Sequence, residues 1–61
     1  MDDNQDRLLA QRLVQLRTAR QWSLDQLAQQ TGISRATLSR IERAETSPTA
    51  ALLGKLAQVF G

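Results

Sequence analysis

The stretch Ser23-Leu24-Asp25-Gln26-Leu27-Ala28-Gln29-Gln30-Thr31-Gly32-Ile33-Ser34-Arg35-Ala36-Thr37-Leu38-Ser39-Arg40-Ile41-Glu42-Arg43 decides how this chain is read. Ser23 with Gln26 three residues later forms a capping box, in which each side chain satisfies the other residue's backbone donor at a helix start. Trp22, just before the cap, is placed to staple onto Leu27. Leu27 and Ala28 carry the helix on, and Gly32 stops it, because glycine takes positive φ without a Cβ penalty. Ser34 caps the next helix, with Leu38 and Ile41 pointing inward. Only Gly32, Ile33 and Ser34 link the two helices. So short a link forces a steep crossing with Leu27, Ala28, Ile33, Leu38 and Ile41 inside it, and the small Ala28 lets the helices approach closely.

Working outward, Leu9, Leu13 and Leu16 fall at i, i+4 and i+7, which predicts a helix over about 6–20. The aspartates before it suit its positive end, and Arg17 and Arg20 its negative end. The polar start, residues 1–5, is expected to be frayed or disordered. Ala44 to Pro48 is a polar turn. Leu52, Leu53, Leu56, Val59 and Phe60 then form the apolar face of a helix over about 49–60, with Pro48 or Thr49 opening it. Gly54 inside it marks an expected point of close packing. Helices over about 6–20, 23–31, 34–44 and 49–60 predict an all-α fold, a compact four-helix bundle. Leu9, Leu13, Leu16, Leu52, Leu56 and Phe60 are expected in its core, and Leu53 or Val59 on a surface open to a partner.

Composition narrows the function. At 61 residues the chain is one domain, and a domain of this size buries only about 60% of its unfolded surface. It has no cysteine and no histidine. Disulfides, Cys/His metal sites and Ser-His-Asp catalysis are therefore excluded, and neither enzyme activity, metal nor cofactor is expected. No apolar run could span a membrane or serve as a signal peptide, so a cytoplasmic location is expected. The formal net charge of +2 hides an asymmetry. From Arg7 onward eight basic residues face three acids, Asp25, Glu42 and Glu45, for a net of +5. Seven of the eight are arginine, whose planar fork suits phosphate and guanine edges. On the helix after Ser34, positions 36, 39, 40 and 43 share one side, with Arg35 beside them and Thr37 near the helix start. That face carries no acid and no large apolar residue. Two short helices on a glycine turn, the second with a free basic face, make a helix-turn-helix whose second helix fits the DNA major groove.

The ordered set Leu16-Arg17-Thr18-Ala19-Arg20-Gln21-Trp22-Ser23 through Leu27-Ala28, then Thr31 to Arg43, then Pro48 and Thr49, resembles the helix-turn-helix domain of lambdoid phage repressor and Cro proteins, the XRE family. The likeness covers about Leu9 to Phe60; its single elements are weak and the ordered set is specific. The resemblance implies a bundle whose third helix reads DNA. It assigns base contacts to Arg35, Ala36, Thr37, Ser39 and Arg40. Phosphate contacts go to Ser23, the backbone of Leu24, Arg43, Thr46 and Ser47, and Ser34 joins them as a cap at a helix N-terminus. It implies a structural salt bridge between Arg17 and Glu42. Two departures stand out. Where the family has glycine, this chain has Ala44, so helix three is expected to run on to 44 or 45, which puts the roles of Thr46 and Ser47 in doubt. The family's fifth helix is absent, so residues 6–61 are expected to be the N-terminal part of a longer regulator. The implied function is sequence-specific DNA binding by a bacterial or phage transcriptional regulator, nucleoid-associated when bound. Its partner is a pseudo-palindromic operator, met by a homodimer formed on DNA or through a missing C-terminal region. The alternatives are an antitoxin-type autoregulator and a helical protein-interaction module without DNA binding.

Overall fold

The computed structural model describes residues 3–61, in which four helices follow one another: α1 (Asp3–Ala19), α2 (Leu24–Thr31), α3 (Arg35–Glu42) and α4 (Ala50–Phe60). No strand occurs among the described residues. Helix α1 thus begins three residues before the predicted start at Asp6, because polar residues are well tolerated in a first turn. Of the stretch expected to be frayed, Met1 and Asp2 lie outside the described residues, and residues 3–5 are helical.

The inner helix ends are built from short side-chain bonds. At α2 the Ser23 hydroxyl accepts from the Gln26 N–H at 3.1 Å, and the Ser23 N–H donates to Gln26 Oε1 at 2.7 Å. Gly32, at φ 74°, closes α2 by donating to the Ala28 carbonyl at 2.8 Å. Thr31 is a buried polar residue of this turn. Its hydroxyl donates to the Leu27 carbonyl at 2.8 Å and accepts from the Ile33 N–H at 3.2 Å, so the buried Ile33 has a partner for its donor. Ser34 caps α3 by accepting from the Thr37 N–H at 3.2 Å. Thr49 caps α4 by accepting from the Leu52 N–H, which leaves Pro48 outside the first turn.

Helix α3 stops at Glu42 and does not run to 44 or 45. Ala44 takes φ 57°, the Ala44 N–H donates to the Ile41 carbonyl at 3.0 Å, and the Glu45 N–H donates to the Arg40 carbonyl at 2.9 Å. These paired bonds are the Schellman ending, and they satisfy carbonyls that a helix end would otherwise leave bare. They outweigh the roughly 1–2 kcal/mol that left-handed backbone costs a residue with a Cβ. Helix α1 ends in the same way, with Gln21 at φ 58° and the Trp22 N–H donating to the Arg17 carbonyl at 3.1 Å.

Helix α1 packs on α3, and α2 packs on both α3 and α4. The core they enclose is Leu13, Leu27, Ile33, Leu38, Ile41 and Leu56, with Leu27 and Leu38 fully covered. Each such side chain contributes about 1.5–3 kcal/mol when removed from water. Leu9, Leu16, Leu52 and Phe60, expected in the core, are only half-buried. Leu9, Leu16 and Phe60 line an apolar cleft of about 190 Å³ that also takes in Leu53 and Leu56. Because α4 packs chiefly on α2, it leaves the leucine stripe of α1 incompletely covered. Leu53 remains 43% exposed, whereas Val59 is half-buried. Gly54 marks no close approach, since a Cβ there would meet nothing within 4 Å. Trp22 packs on the core and on Phe60, with ring centroids 5.9 Å apart. The Arg20 guanidinium lies over both rings, at 5.5 and 4.7 Å.

Candidate nucleic-acid interface

The orientation of α3 rests on one joint. Arg17 on α1 donates through Nε to Glu42 Oε2 at 2.7 Å and through Nη2 to Oε1 at 3.1 Å, while Nη1 donates to the Trp22 carbonyl at 2.9 Å. The side chains are only 17% and 9% exposed. The bond to Glu42 is the main reason that the Arg17 guanidinium is held above its ordinary pKa, against the opposing effect of burial. A cation whose folded pKa is raised contributes fully below its unfolded pKa and is lost only as pH rises through the folded one. Arg17 therefore stays charged in this joint at neutral pH and loses its charge only under strongly alkaline conditions.

With α3 so fixed, its outer face forms a shallow concavity of about 570 Å³ lined by Arg35, Ala36, Ser39, Arg40 and Arg43. The structure thus brings four of the five expected base-contacting residues together with Arg43. Arg35, Ala36, Arg40 and Arg43 are exposed and Ser39 is half-buried. Thr37 lies aside, half-buried, its hydroxyl oxygen accepting from the Ser34 hydroxyl at 2.8 Å. Exposed Ser23 uses its oxygen as an acceptor in the capping box, which leaves its hydroxyl hydrogen to donate. The Leu24 side chain packs on the core, and its N–H belongs to the first turn of α2, where backbone donors have no partner within the helix. Thr46 and Ser47 are half-buried in the α3–α4 loop. The Ser47 hydroxyl donates to Asp6 Oδ1 at 2.6 Å, tying the loop to α1 and setting a carboxylate where a phosphate contact was expected.

The face is not of one sign. Asp25 of α2 reaches Arg35, with Oδ1 3.2 Å from Nε, and Glu45 reaches Arg43, with Oε1 3.3 Å from Nη2. Counting charges along α3 alone misses both acids, because they enter from neighbouring elements. Among the described residues no carboxylate pairs with Arg40. Sequence reasoning also missed Asp6 as a loop tie and Thr31 as the buried anchor of the turn. Glu45 lies two residues from Arg43, and Thr31 bonds only to Leu27 and Ile33, so both could have been found locally; Asp25 and Asp6 have no local signal. Among the described residues, no group of three His, Cys, Asp or Glu could hold a metal ion, and no helix is long and apolar enough to cross a membrane.

Comparison with known proteins agrees with this geometry. The family model described as helix-turn-helix matches residues 13–61. The chain is 53% identical over 55 residues to the HTH-type transcriptional regulator SutR of Escherichia coli (strain K12). That match covers 90% of this chain and 31% of the relative, so the chain spans about a third of the relative's length. No solved structure matches.

Proposed function

Since the chain belongs to the XRE-type helix-turn-helix family, we propose that it is the DNA-binding domain of a transcriptional regulator and reads sequence through α3. The observation that carries this reading is the concavity on α3, which gathers three guanidinium groups around the small side chains of Ala36 and Ser39. Arg40 and Arg35 supply base recognition, each best matched to guanine N7 and O6, where a good bidentate pair is worth about 1–3 kcal/mol of discrimination. Ala36, Ser39 and Thr37 shape or complete that contact. Arg43, Thr46 and the α2 N-terminus at Ser23 and Leu24 meet phosphates, and so does Ser34 at the start of α3. Ser47 joins them only by releasing Asp6.

Two copies bind a pseudo-palindromic operator, with half-sites about 34–36 Å apart. The role is binding without catalysis, in the cytoplasm. The arginines gathered on α3 favour this reading over a protein-interaction module. The test is selection of a duplex from a random pool, then fluorescence-anisotropy titration of the chain against selected and random duplexes at several salt concentrations. Tighter binding to the selected duplex, with a steeply negative log–log salt slope, is expected of a reader that neutralises several phosphates. Equal affinity for both duplexes would refute sequence reading, and absence of binding at low salt would refute DNA binding by this chain.

A further inference from the structure

We propose that Asp25 is a specificity-determining positioning residue, whose carboxylate holds the Arg35 guanidinium across the α2–α3 turn in the orientation from which it meets a base edge. The inference rests on the reading of α3 as the DNA-reading helix. Arg35 is the first residue of α3, and its side chain is 66% exposed. A long side chain so exposed samples many rotamers, and ordering it on a base costs conformational entropy. Asp25 engages the Nε side of the guanidinium at 3.2 Å. The N–H donors of the two terminal nitrogens stay available, and these form the fork that matches guanine O6 and N7. The backbone that carries this short carboxylate is fixed, because Asp25 stands in the first turn of α2 beside the Ser23–Gln26 capping box, and its side chain has two rotatable bonds against four in Arg35.

The other two arginines of the concavity differ. Arg43 is met at Nη2 by Glu45, two residues away in the chain, and no carboxylate of the described residues pairs with Arg40. Only Arg35 is held from a different helix. Asp25 also stands at the α2 terminus where a phosphate is expected, so its charge opposes backbone binding that a matched base does not accompany. A purely structural role is available as well, since a carboxylate in a first helical turn stabilises the helix. Such a role would move the melting temperature and leave discrimination among duplexes unchanged.

The experiment titrates the intact chain by anisotropy against the selected duplex and all its single-base-pair variants, at one salt concentration. Wild type, Asp25→Ala, Asp25→Glu, Arg35→Ala and the Arg35→Ala/Asp25→Ala double variant are compared, each checked for folding by circular dichroism. Arg35→Ala identifies the base pairs that Arg35 reads. Asp25→Ala is expected to lower discrimination at those same base pairs by about two- to fivefold, the range an exposed ion pair can supply. It is also expected to tighten binding to random duplexes. Asp25→Glu restores discrimination, and Asp25→Ala has no further effect on discrimination in the Arg35→Ala background. An equal change on every duplex would overturn the proposal and make Asp25 merely an unfavourable charge; so would discrimination lost at base pairs that Arg35 does not read. A wild-type chain without sequence preference would overturn the reading of α3 itself. That failure is seen in the wild-type arm, before any variant is compared.

Discussion

Arg17 and Arg35 each set a guanidinium against a carboxylate on another helix, and the geometry and surroundings of the two pairs differ. The Arg17–Glu42 pair is two-pronged and largely covered, with side chains 17% and 9% exposed. The Arg35–Asp25 pair is an ion pair without a hydrogen bond, nearest at Nε and 3.2 Å, with side chains 66% and 76% exposed. Losing one partner of a covered pair leaves a charge that neither water nor protein satisfies. An exposed pair exchanges with water at little cost, and typically contributes about 0–1 kcal/mol. Burial thus separates the arginine that builds the domain from an arginine whose terminal nitrogens stay open to solvent.

Several substitutions sharpen or break this contrast. Arg17→Ala strands the Glu42 carboxylate and the Trp22 carbonyl together, and is expected to cost about 3 kcal/mol in urea unfolding. That is a large part of the roughly 3–9 kcal/mol available to a domain this small. Replacing both partners at once, as Arg17→Met with Glu42→Leu, should recover most of the loss, because no unpaired charge remains. Arg35→Ala should change stability by less than about 0.5 kcal/mol; a loss comparable to that of Arg17→Ala would end the distinction between the two pairs. On the binding side, Arg43→Ala should weaken binding to every duplex alike and make the log–log salt slope shallower by about 1, as anisotropy titrations at several salt concentrations would measure.

Smaller effects are expected from the backbone. Gly54→Ala should stabilise the domain by up to about 1 kcal/mol, since helix propensity improves and a Cβ there meets nothing. Ala44→Gly should gain up to about 1 kcal/mol by relieving left-handed backbone, offset in part by the freer unfolded chain. Thermal unfolding of each variant checks both, and a destabilised Gly54→Ala would mean that α4 packs more closely than its open surroundings indicate.

How far the fold was legible in the sequence follows the range of each signal. Ser23 with Gln26, Ser34, Thr49 and Gly32 are local marks, and each acts within three or four residues of where it stands in the chain. The ends of α1 and α3 are not written this way, because Gln21 and Ala44 take positive φ without being glycine or asparagine. Two backbone hydrogen bonds at each end impose that conformation. Periodicity marked Leu9 and Leu16 as one apolar face of α1, but it carries no information on what covers that face, and α4 covers it only in part.

On the candidate site, the three- and four-residue spacing along α3 was enough to group Ala36, Ser39, Arg40 and Arg43. The acids that meet Arg35 and Ser47 were not legible, since Asp25 and Asp6 stand ten and 41 residues away in the chain. Arg17 and Glu42 are 25 residues apart; only the family resemblance suggested the pairing, and the fold brings them together.

The most direct test of α3 as the reading element is the anisotropy titration of Arg40→Ala against the selected and the random duplex. Arg40 lines the concavity, and among the described residues no carboxylate pairs with it. The account predicts a loss of about 1–3 kcal/mol on the selected duplex beyond any loss on the random one, with the fold unchanged. Equal loss on both duplexes would contradict it, because Arg40 would then be only one more positive charge near the phosphates.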